Sequence, residues 1–159
     1  RYHDAQQIDY YGFDLFGQMT KEIFTAEKSK WPPTQQEAHQ KLSATGVNIH
    51  LFQGDTMKTL PEIAASLPKM DFIFIDGGHS LETIASDCHW ASQLMHDKTV
   101  VILDDYWPDR TDAGCKPTID GLNGDEYRVT LLPWLDTFKK TAFGLLKIKL
   151  AAVRKRRRS

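Results

Sequence analysis

The sequence predicts an α/β fold, a Rossmann-like doubly wound sheet that is mostly parallel and ends in an antiparallel strand pair. Short apolar strands alternate with amphipathic helical segments, a pattern typical of parallel strands joined by crossover helices. The chain has 159 residues, enough for one domain with a core and too few for two ordinary ones. Hydrophobic residues make up 41% and charged residues 26%, which excludes a disordered chain and collagen-like repeats.

Periodicity and capping signals define the elements of the first half. We predict a strand over 8–14, a helix over 34–44, a strand over 47–53 and a helix over 56–67. Thr34 and Glu37 have the spacing of a capping box, and Gly46 is a typical helix stop. Pro61 should lie near the first turn of its helix or kink it.

The second half continues the alternation. Apolar runs over 72–76 and 99–103 predict two more strands, the second ended by Asp104 and Asp105. Ser80 should begin the clearest helix, whose apolar residues recur on one face: Leu81, Ile84, Ala85, Cys88, Ala91 and Leu94. We expect a loop over 106–126 with a short helix near 118–122, then strands over 127–132 and 145–153 that could pair antiparallel.

The formal net charge of −1 conceals an asymmetry along the chain. Residues 139–159 carry nine of the 20 lysines and arginines and no acid, so residues 1–138 carry a net charge of −10. An acidic body disfavours a general nucleic-acid binder. We expect a single domain over 1–153 followed by a basic tail over 154–159.

The two cysteines and the hydropathy limit the classes of protein further. Cys88 and Cys115 form no CxxC motif, which excludes a disulfide scaffold and a zinc ribbon and favours a reducing, cytoplasmic compartment. No apolar run reaches the length of a transmembrane helix, so we expect no membrane partner. The sequence leaves a homo-oligomer open.

The ends of all four predicted strands of the first 105 residues are acidic or polar. In open α/β sheets, ligands bind just outside the carboxyl ends of the strands. Asp14 could accept hydrogen bonds from a ribose diol. Asp55 could accept from an adenine amino group, with Gly54 allowing a flat ring to approach the backbone. A single acid in such a place is usually a helix cap or a turn former, so the repeated pattern carries the prediction.

Three of these acids predict a metal site. Asp76, Asp104 and Asp105 end two successive strands, where their like charges would repel unless a cation lies between them. Carboxylate oxygens suit Mg²⁺, Mn²⁺ or Ca²⁺ and suit zinc or copper poorly. The alternative is that Asp104 caps inward and Asp105 faces solvent.

His79 is the candidate general base. It lies in a loop with Gly77 and Gly78, whose missing side chains would allow the backbone close to a ligand. An imidazole can take a proton near neutral pH. A lone loop histidine is more often a polar surface residue, so the neighbouring acids favour the functional interpretation. Tyr106 and Trp107 could stack on a sugar or aromatic ring, or could be packing.

Four segments together resemble a class I S-adenosylmethionine-dependent methyltransferase: YYGFDLF (10–16), FQGDT (52–56), DFIFIDGGHSLET (71–83) and TVVILDDYW (99–107). The likeness covers residues 8–107 and is greatest to the bacterial sugar and macrolide O-methyltransferases. The pairing of DGGH with DDYW is its most specific part. The expected activity is Mg²⁺-dependent O-methylation of a small-molecule hydroxyl on a sugar, polyketide or catechol-like acceptor.

The resemblance also implies roles for individual residues. It places S-adenosylmethionine against a set of glycines and acids: Gly12, Asp14, Gly54, Asp55, Asp76 and Gly77. It assigns Mg²⁺ to Asp76, Asp104 and Asp105. Catechol and caffeoyl-CoA O-methyltransferases carry a basic lysine at the position of His79, whereas the antibiotic-sugar enzymes favour an acid at the position of Gly78.

One family feature has no counterpart in these 159 residues. The first strand of the family and its glycine-rich loop would lie upstream of Ile8, where only RYHDAQQ stands. We therefore expect an N-terminally incomplete domain that by itself binds the cofactor poorly. Two alternatives stay open: a noncatalytic module that binds RNA or an anionic partner through its basic tail, and a metal-dependent hydroxylase. The hydroxylase would need imidazole ligands for iron, and only His79 is near.

Overall fold

The computed structural model describes residues 4–27, 31–132, 137–141 and 144–156. The chain divides into two compact units, Arg1–Glu62 and Ile63–Ser159, and each is described by itself. The expectation of a single domain over 1–153 stays a prediction.

The first unit contains a two-stranded parallel sheet with helices. Its elements in chain order are β1 (Asp9–Asp14), α1 (Lys21–Glu27), α2 (Gln35–Ser43), β2 (Asn48–Gln53) and α3 (Thr56–Ile63). The register runs from Asp9 opposite Asn48 to Asp14 opposite Gln53, so the two strands end level. The predicted helix over 34–44 is present with its capping box. Helix α1 lies in a stretch for which the sequence predicts no helix.

Helix α3 is shorter than predicted. It ends at Ile63 and passes into a 3-10 turn, Ala64–Ser66, instead of continuing to Leu67. Pro61 is the sixth residue of the helix, beyond the first turn. A proline there removes one backbone donor and crowds the preceding turn, which explains why the helix stops two residues later.

The second unit is built on a longer sheet. Its elements are β3 (Met70–Ile75), α4 (Leu81–Leu94), β4 (Met95–Tyr106), α5 (Lys116–Asp120), β5 (Tyr127–Leu131), β6 (Thr137–Thr141) and β7 (Gly144–Lys155). The strand order is β3-β4-β7-β5, with β6 also paired to β7. Strands β3 and β4 are parallel, and β7 is antiparallel to β4, β5 and β6. The predicted antiparallel pairing of the last two strands is confirmed, whereas β6 is an additional strand.

The buried face of α4 differs from the predicted one. Ile84, Ala91 and Leu94 are buried as expected, but Leu81 and Ala85 are exposed and Asp87 is buried at 8% exposure. The inward face therefore follows Ile84, Asp87, Ala91 and Leu94, a helical spacing in which one position is an acid. Ile84 joins Val101, Leu103 and Val153 in the main apolar core.

Two strands run further than the sequence predicts. Strand β4 continues past Asp104 and Asp105 to Tyr106, so the acid pair does not end it. Strand β7 continues to Lys155, because Arg154 and Lys155 pair with Arg128 and Tyr127 of β5. The first two residues of the predicted basic tail over 154–159 are thus part of the sheet, and residues 157–159 lie outside the described ones. Within the described ranges, no helix has the length and apolarity needed to cross a membrane.

Candidate active site

Three carboxylates lie close together at the C-terminal ends of the parallel strands β3 and β4. The parallel register pairs Ile75 with Leu103, so Asp76 and Asp104 follow directly after paired positions. One carboxylate oxygen from each of Asp76, Asp104 and Asp105 lies within 4.8 Å of the other two. The structure therefore brings together the three acids that the sequence predicts as metal ligands.

These acids line a small pocket in the second unit. Its other lining residues come from the two strands, the loop after β3, α4 and the turn before α5: Ile75, Gly77, Gly78, Ile84, Leu103 and Cys115. The pocket has a volume of about 10 Å³, room for about one water-sized sphere. An oxygen donor set around a space of this size fits Mg²⁺, Mn²⁺ or Ca²⁺.

Asp105 has a left-handed backbone conformation, with φ of 56°. The pairing of β4 with β7 shifts register between Leu103 and Tyr106, so β4 is irregular at the acid pair. The N–H of Asp105 donates to Oδ1 of Asp104 at 2.7 Å, and aspartate tolerates a positive φ better than most residues. The Asp105 side chain is only 16% exposed, so the alternative in which it faces solvent is wrong.

His79 lies against Asp105. Its Nε2 is 2.7 Å from Oδ2 of Asp105, and the two side chains are 18% and 16% exposed. Because an ionised carboxylate can only accept, a neutral imidazole in this pair carries its proton on Nε2 and its lone pair on Nδ1. His79 directly precedes Ser80, the N-cap of α4, whose hydroxyl accepts from the N–H of Thr83. The histidine is thus a half-buried member of the acid cluster instead of a surface residue.

The two aromatic residues after the acid pair are buried. Trp107 is 2% exposed, its Nε1 donates to Oδ1 of Asp105 at 3.0 Å, and its ring stacks on His79 with centroids 5.4 Å apart. The hydroxyl of Tyr106 donates to Asp120 at 2.9 Å. Burial and that hydrogen bond raise the pKa of Tyr106 to about 12. Both side chains are therefore packing residues, and neither is exposed to stack on a sugar or aromatic ring of a ligand.

The turn before α5 holds both loops of the site, and the sequence gives no sign of this. The N–H of Gly114 donates to the carbonyl of His79 at 3.0 Å, and that of Cys115 donates to the carbonyl of Asp105 at 3.0 Å. Gly114 has φ of 78°, and a Cβ there would lie 2.6 Å from the carbonyl oxygen of Asp105. Only glycine fits this position without displacing the backbone of the site.

Asp87 is a second residue that the sequence analysis missed. Its carboxylate lies beside the loop after β3, since a Cβ built on Gly77 would be 3.6 Å from Oδ2 of Asp87. The available signal is an acid at helical spacing with Ile84, Ala91 and Leu94, on the face of α4 that is otherwise apolar.

The thiols have no features of catalytic nucleophiles. Cys88 and Cys115 are both free cysteines. Burial raises the pKa of Cys88 to about 12 and also raises the pKa of Cys115. A nucleophilic cysteine needs a lowered pKa, so these two are structural.

The remaining predicted residues lie in the first unit, where the acids serve local structure. Oδ1 of Asp14 accepts from the N–H of Phe16 at 2.9 Å, and Oδ1 of Asp55 accepts from the N–H of Met57 at 3.0 Å. The N–H of Gly54 donates to the carbonyl of Asp14 at 2.9 Å, which joins the ends of β1 and β2. Gly54 has φ of 146°, and a Cβ there would be 2.7 Å from Thr59.

Gly12 and Asp14 also line a pocket of about 320 Å³ within the first unit. The other lining residues come from β1, β2, α2 and the segments beside them: Tyr10, Phe13, Phe16, Pro33, Ala38, Lys41, Leu42 and Leu51. The pocket is mostly apolar with one charge of each sign, a composition common in small-molecule sites.

Comparison with known proteins supports the fold. No curated protein matches the chain. The O-methyltransferase TomG from Streptomyces achromogenes, solved with SAM and involved in tomaymycin synthesis, is 18% identical with a TM-score of 0.54, covering 94% of this chain and 74% of TomG. An O-methyltransferase from Bacillus cereus, solved with SAH, is 16% identical with a TM-score of 0.51, covering 92% and 74%. An rRNA methylase from Streptococcus thermophilus is 10% identical with a TM-score of 0.55, covering 96% and 91%.

These likenesses confirm the predicted α/β, Rossmann-like fold. The sequence model of a family described as a methyltransferase domain matches residues 2–106, about two thirds of the chain. That range contains β1 to β4 and the three clustered acids. The chain therefore belongs to this methyltransferase-domain family, which confirms the prediction of a class I S-adenosylmethionine-dependent methyltransferase.

Proposed function

We propose that this protein methylates a hydroxyl of a small molecule, with S-adenosylmethionine as methyl donor and Mg²⁺ as a bound cofactor. The observation that carries the proposal is the 2.7 Å contact between His79 and Asp105, beside a cluster of three carboxylates. A base next to an oxygen-only cation site is suited to deprotonating a hydroxyl, and a hydroxyl needs that help before it attacks a methyl group.

Six residues are proposed to contact S-adenosylmethionine, which supplies an electrophilic methyl group when bound. They are Gly12, Asp14, Gly54, Asp55, Asp76 and Gly77. Asp14 uses Oδ1 for the amide of Phe16, so in the described part of the chain Oδ2 can accept from a ribose hydroxyl. Asp55 likewise uses Oδ1 for the amide of Met57, and its Oδ2, which lies 4.0 Å from Nζ of Lys58, is the oxygen proposed to accept from an exocyclic amine.

Asp76, Asp104 and Asp105 are proposed to hold Mg²⁺. The three oxygens within 4.8 Å and the small pocket that they line fit this ion. When bound, Mg²⁺ supplies a Lewis acid that lowers the pKa of a substrate hydroxyl. The three carboxylates also set the charge at this end of the sheet, which disfavours a negatively charged acceptor unless the cation is present.

His79 is proposed as the base that takes the hydroxyl proton. Asp105 accepts from Nε2, so Nδ1 is the ring atom that receives the proton. As the acceptor oxygen forms its bond to the methyl carbon, the carbon–sulfur bond breaks and its electron pair stays on sulfur, which becomes a neutral thioether. The imidazolium that results lies against the Asp105 carboxylate, which stabilises its charge.

A small molecule is favoured over RNA as the acceptor by the state of the basic C-terminal residues. Lys155 donates through Nζ to the carbonyl of Met95 at 3.1 Å, and Arg156 donates to the carbonyl of Tyr127 at 3.3 Å. These two cations bind backbone carbonyls of their own unit, and residues 1–138 carry a net charge of −10, which disfavours RNA as the acceptor.

The experiment compares His79→Ala with the unchanged protein, expressed with any sequence that naturally flanks residues 1–159. Turnover is followed as S-adenosylhomocysteine released in the presence of Mg²⁺ and a panel of catechols and vicinal-diol glycosides. We expect turnover to fall by about 10²–10⁴-fold, the usual contribution of a general base. The dissociation constant of S-adenosylhomocysteine, measured by calorimetry, should stay within about twofold, since His79 is not proposed to contact the cofactor.

His96→Ala is the matched control. His96 also contacts an aspartate, Asp71 at 3.0 Å, but this pair is more exposed, with side chains 32% and 100% exposed. This variant should keep both turnover and cofactor affinity. Full turnover in His79→Ala, or a large loss of cofactor affinity there, would refute the role of His79 as base. Failure of the complete, folded protein to bind S-adenosylhomocysteine would refute the proposal as a whole.

A further inference from the structure

Trp107 closes a triangle of side chains with Asp105 and His79. Its indole N–H donates to Oδ1 of Asp105, the other oxygen of that carboxylate contacts His79, and the indole ring stacks on the imidazole at 20° between planes. Each of the three side chains therefore touches the other two. The triangle is largely buried, with Trp107 at 2% exposure.

The indole N–H fixes which carboxylate oxygen faces the histidine. A carboxylate can rotate about its last side-chain bond, and that rotation would exchange or tilt the two oxygens. Because Oδ1 is held by an N–H from the protein, Oδ2 is directed at Nε2 of His79. The stacked indole ring also restricts rotation of the His79 imidazole about its side-chain bonds.

Trp107 is itself held in place by packing. It forms a small buried cluster with Ala113 and Ile148. On another side, the backbone of Gly114 approaches so closely that a Cβ there would lie 3.0 Å from the indole ring. An indole confined in this way has little freedom to reorient, so its N–H keeps a fixed direction toward the Asp105 carboxylate.

We propose that Trp107 is a positioning residue for the proton-accepting histidine: it orients the Asp105 carboxylate, which in turn holds His79 in the tautomer with its proton on Nε2. The role rests on the proposed function only in naming His79 as the base. The orientation itself is a property of the folded chain in the absence of acceptor, so it can be measured separately.

The test is Trp107→Phe, which keeps an aromatic ring against His79 and removes the donor to Asp105. Imidazole ¹⁵N and ring-proton correlations of the whole chain report the tautomer, at a pH well above the ordinary histidine pKa of about 6.5. The unchanged protein should show His79 almost entirely in the Nε2–H form. In Trp107→Phe we expect the Nδ1–H form to rise severalfold.

Trp90→Phe is the matched control, because Trp90 packs its ring edge-on to His89 on α4, away from the triangle. It should leave the signals of His79 unchanged. The proposal is overturned if the His79 tautomer in Trp107→Phe matches that in Trp90→Phe, which would leave Trp107 with a packing role alone.

A second variant keeps the proposal testable if Trp107→Phe does not fold. Asp105→Asn presents an amide N–H to Nε2 and a carbonyl oxygen to the indole, so His79 should invert to the Nδ1–H form while the indole N–H signal of Trp107 moves upfield. Unchanged His79 and Trp107 signals would overturn the proposal. All these readouts are spectroscopic, so a failure of the methyl-transfer test and a failure of this one are distinguishable.

Discussion

The two units place acids at the ends of parallel strands in the same way but use them differently. In the first unit, Asp14 and Asp55 each accept from a backbone N–H two residues further along the chain. In the second unit, Asp105 contacts His79, which is 26 residues away, and its carboxylate lies within 4.8 Å of those of Asp76 and Asp104. Only the second arrangement depends on the tertiary fold.

This difference shows what an acid at a strand end does and does not indicate. A carboxylate that accepts from its own next turn is satisfied locally and stabilises the chain without any ligand. Carboxylates that the fold brings together repel one another, so they need a cation or a protonated partner to offset that repulsion. We therefore expect variants of the clustered acids in the second unit to change cation binding, whereas variants of Asp14 and Asp55 should change stability whether or not a cation is present.

Gly114→Ala should have the largest effect, because the tertiary arrangement of the second unit is built around this residue. A Cβ at φ of 78° would collide with the carbonyl oxygen of Asp105 and touch Trp107. Left-handed strain and overpacking together should lower the free energy of unfolding by about 2–4 kcal/mol. Urea denaturation measures this, and the His79 signals should shift in the same variant.

Gly124→Ala is the control for that substitution. A Cβ on Gly124 would meet nothing within 4 Å, and its φ is not in the left-handed range. Its unfolding free energy should stay within about 0.5 kcal/mol of the unchanged protein, as for most surface substitutions. Equal losses in the two variants would mean that the Gly114 turn does not hold the site.

The second prediction contrasts Asp76→Asn with Asp55→Ala in their response to Mg²⁺. For the unchanged protein, Mg²⁺ at 100 times its dissociation constant should add about 2.7 kcal/mol to the free energy of unfolding. Asp76→Asn should lose most of that gain, because one of the three proposed carboxylate ligands becomes a neutral amide. Asp55→Ala should keep the full gain but lose about 1 kcal/mol at any Mg²⁺ concentration, the value of a helix cap.

Asp55→Asn separates the cap from the charge, since asparagine caps a helix as well as aspartate does. It should restore the stability that Asp55→Ala loses. If Mg²⁺ raised the unfolding free energy of Asp76→Asn as much as that of the unchanged protein, the acid cluster of the second unit would bind no cation. The two units would then differ in the positions of their acids and not in cation binding.

Most of the strands and the main capping box could be predicted from the sequence because they depend on local patterns, and the acid cluster could be predicted from the order of the strands. Asp76 and Asp104 meet because each directly follows one residue of the pair Ile75 and Leu103 on two neighbouring parallel strands, and the sequence predicts that these strands are adjacent although β4 runs on to Tyr106. The left-handed bulge at Asp105 and the turn at Gly114 could not be predicted. They depend on how β4 pairs with β7 some 45 residues later, and no local pattern encodes that register.

The errors in the helices have the same origin. The face of α4 was predicted from apolar residues alone, so exposed Leu81 was assigned to the core and buried Asp87 was not. Its carboxylate is buried beside the backbone of Gly77, and a period of apolar residues gives no information about such a contact. The role of Trp107 depends on burial in the same way, because an indole after a strand can face either a ligand or the core.

The smallest expected effect is the pH dependence of the capping box in the first unit. The backbone N–H and the hydroxyl of Thr34 both donate to Glu37, and they hold the pKa of that carboxyl below its ordinary value of 4.5. A folded-state pKa below the unfolded one stabilises the fold at pH above about 4.5, and this contribution is lost as the pH falls through the folded pKa. Glu37→Gln keeps a capping side chain without a titrating group, so its urea midpoint should fall less on acidification than that of the unchanged protein. Glu62→Gln, at an exposed position near the end of α3, should follow the unchanged protein. If the urea midpoint of Glu37→Gln falls on acidification as much as that of the unchanged protein, the Glu37 carboxylate does not stabilise the first unit through its local hydrogen bonds. The proposed distinction between locally stabilising acids in the first unit and ligand-binding acids in the second would then lack support.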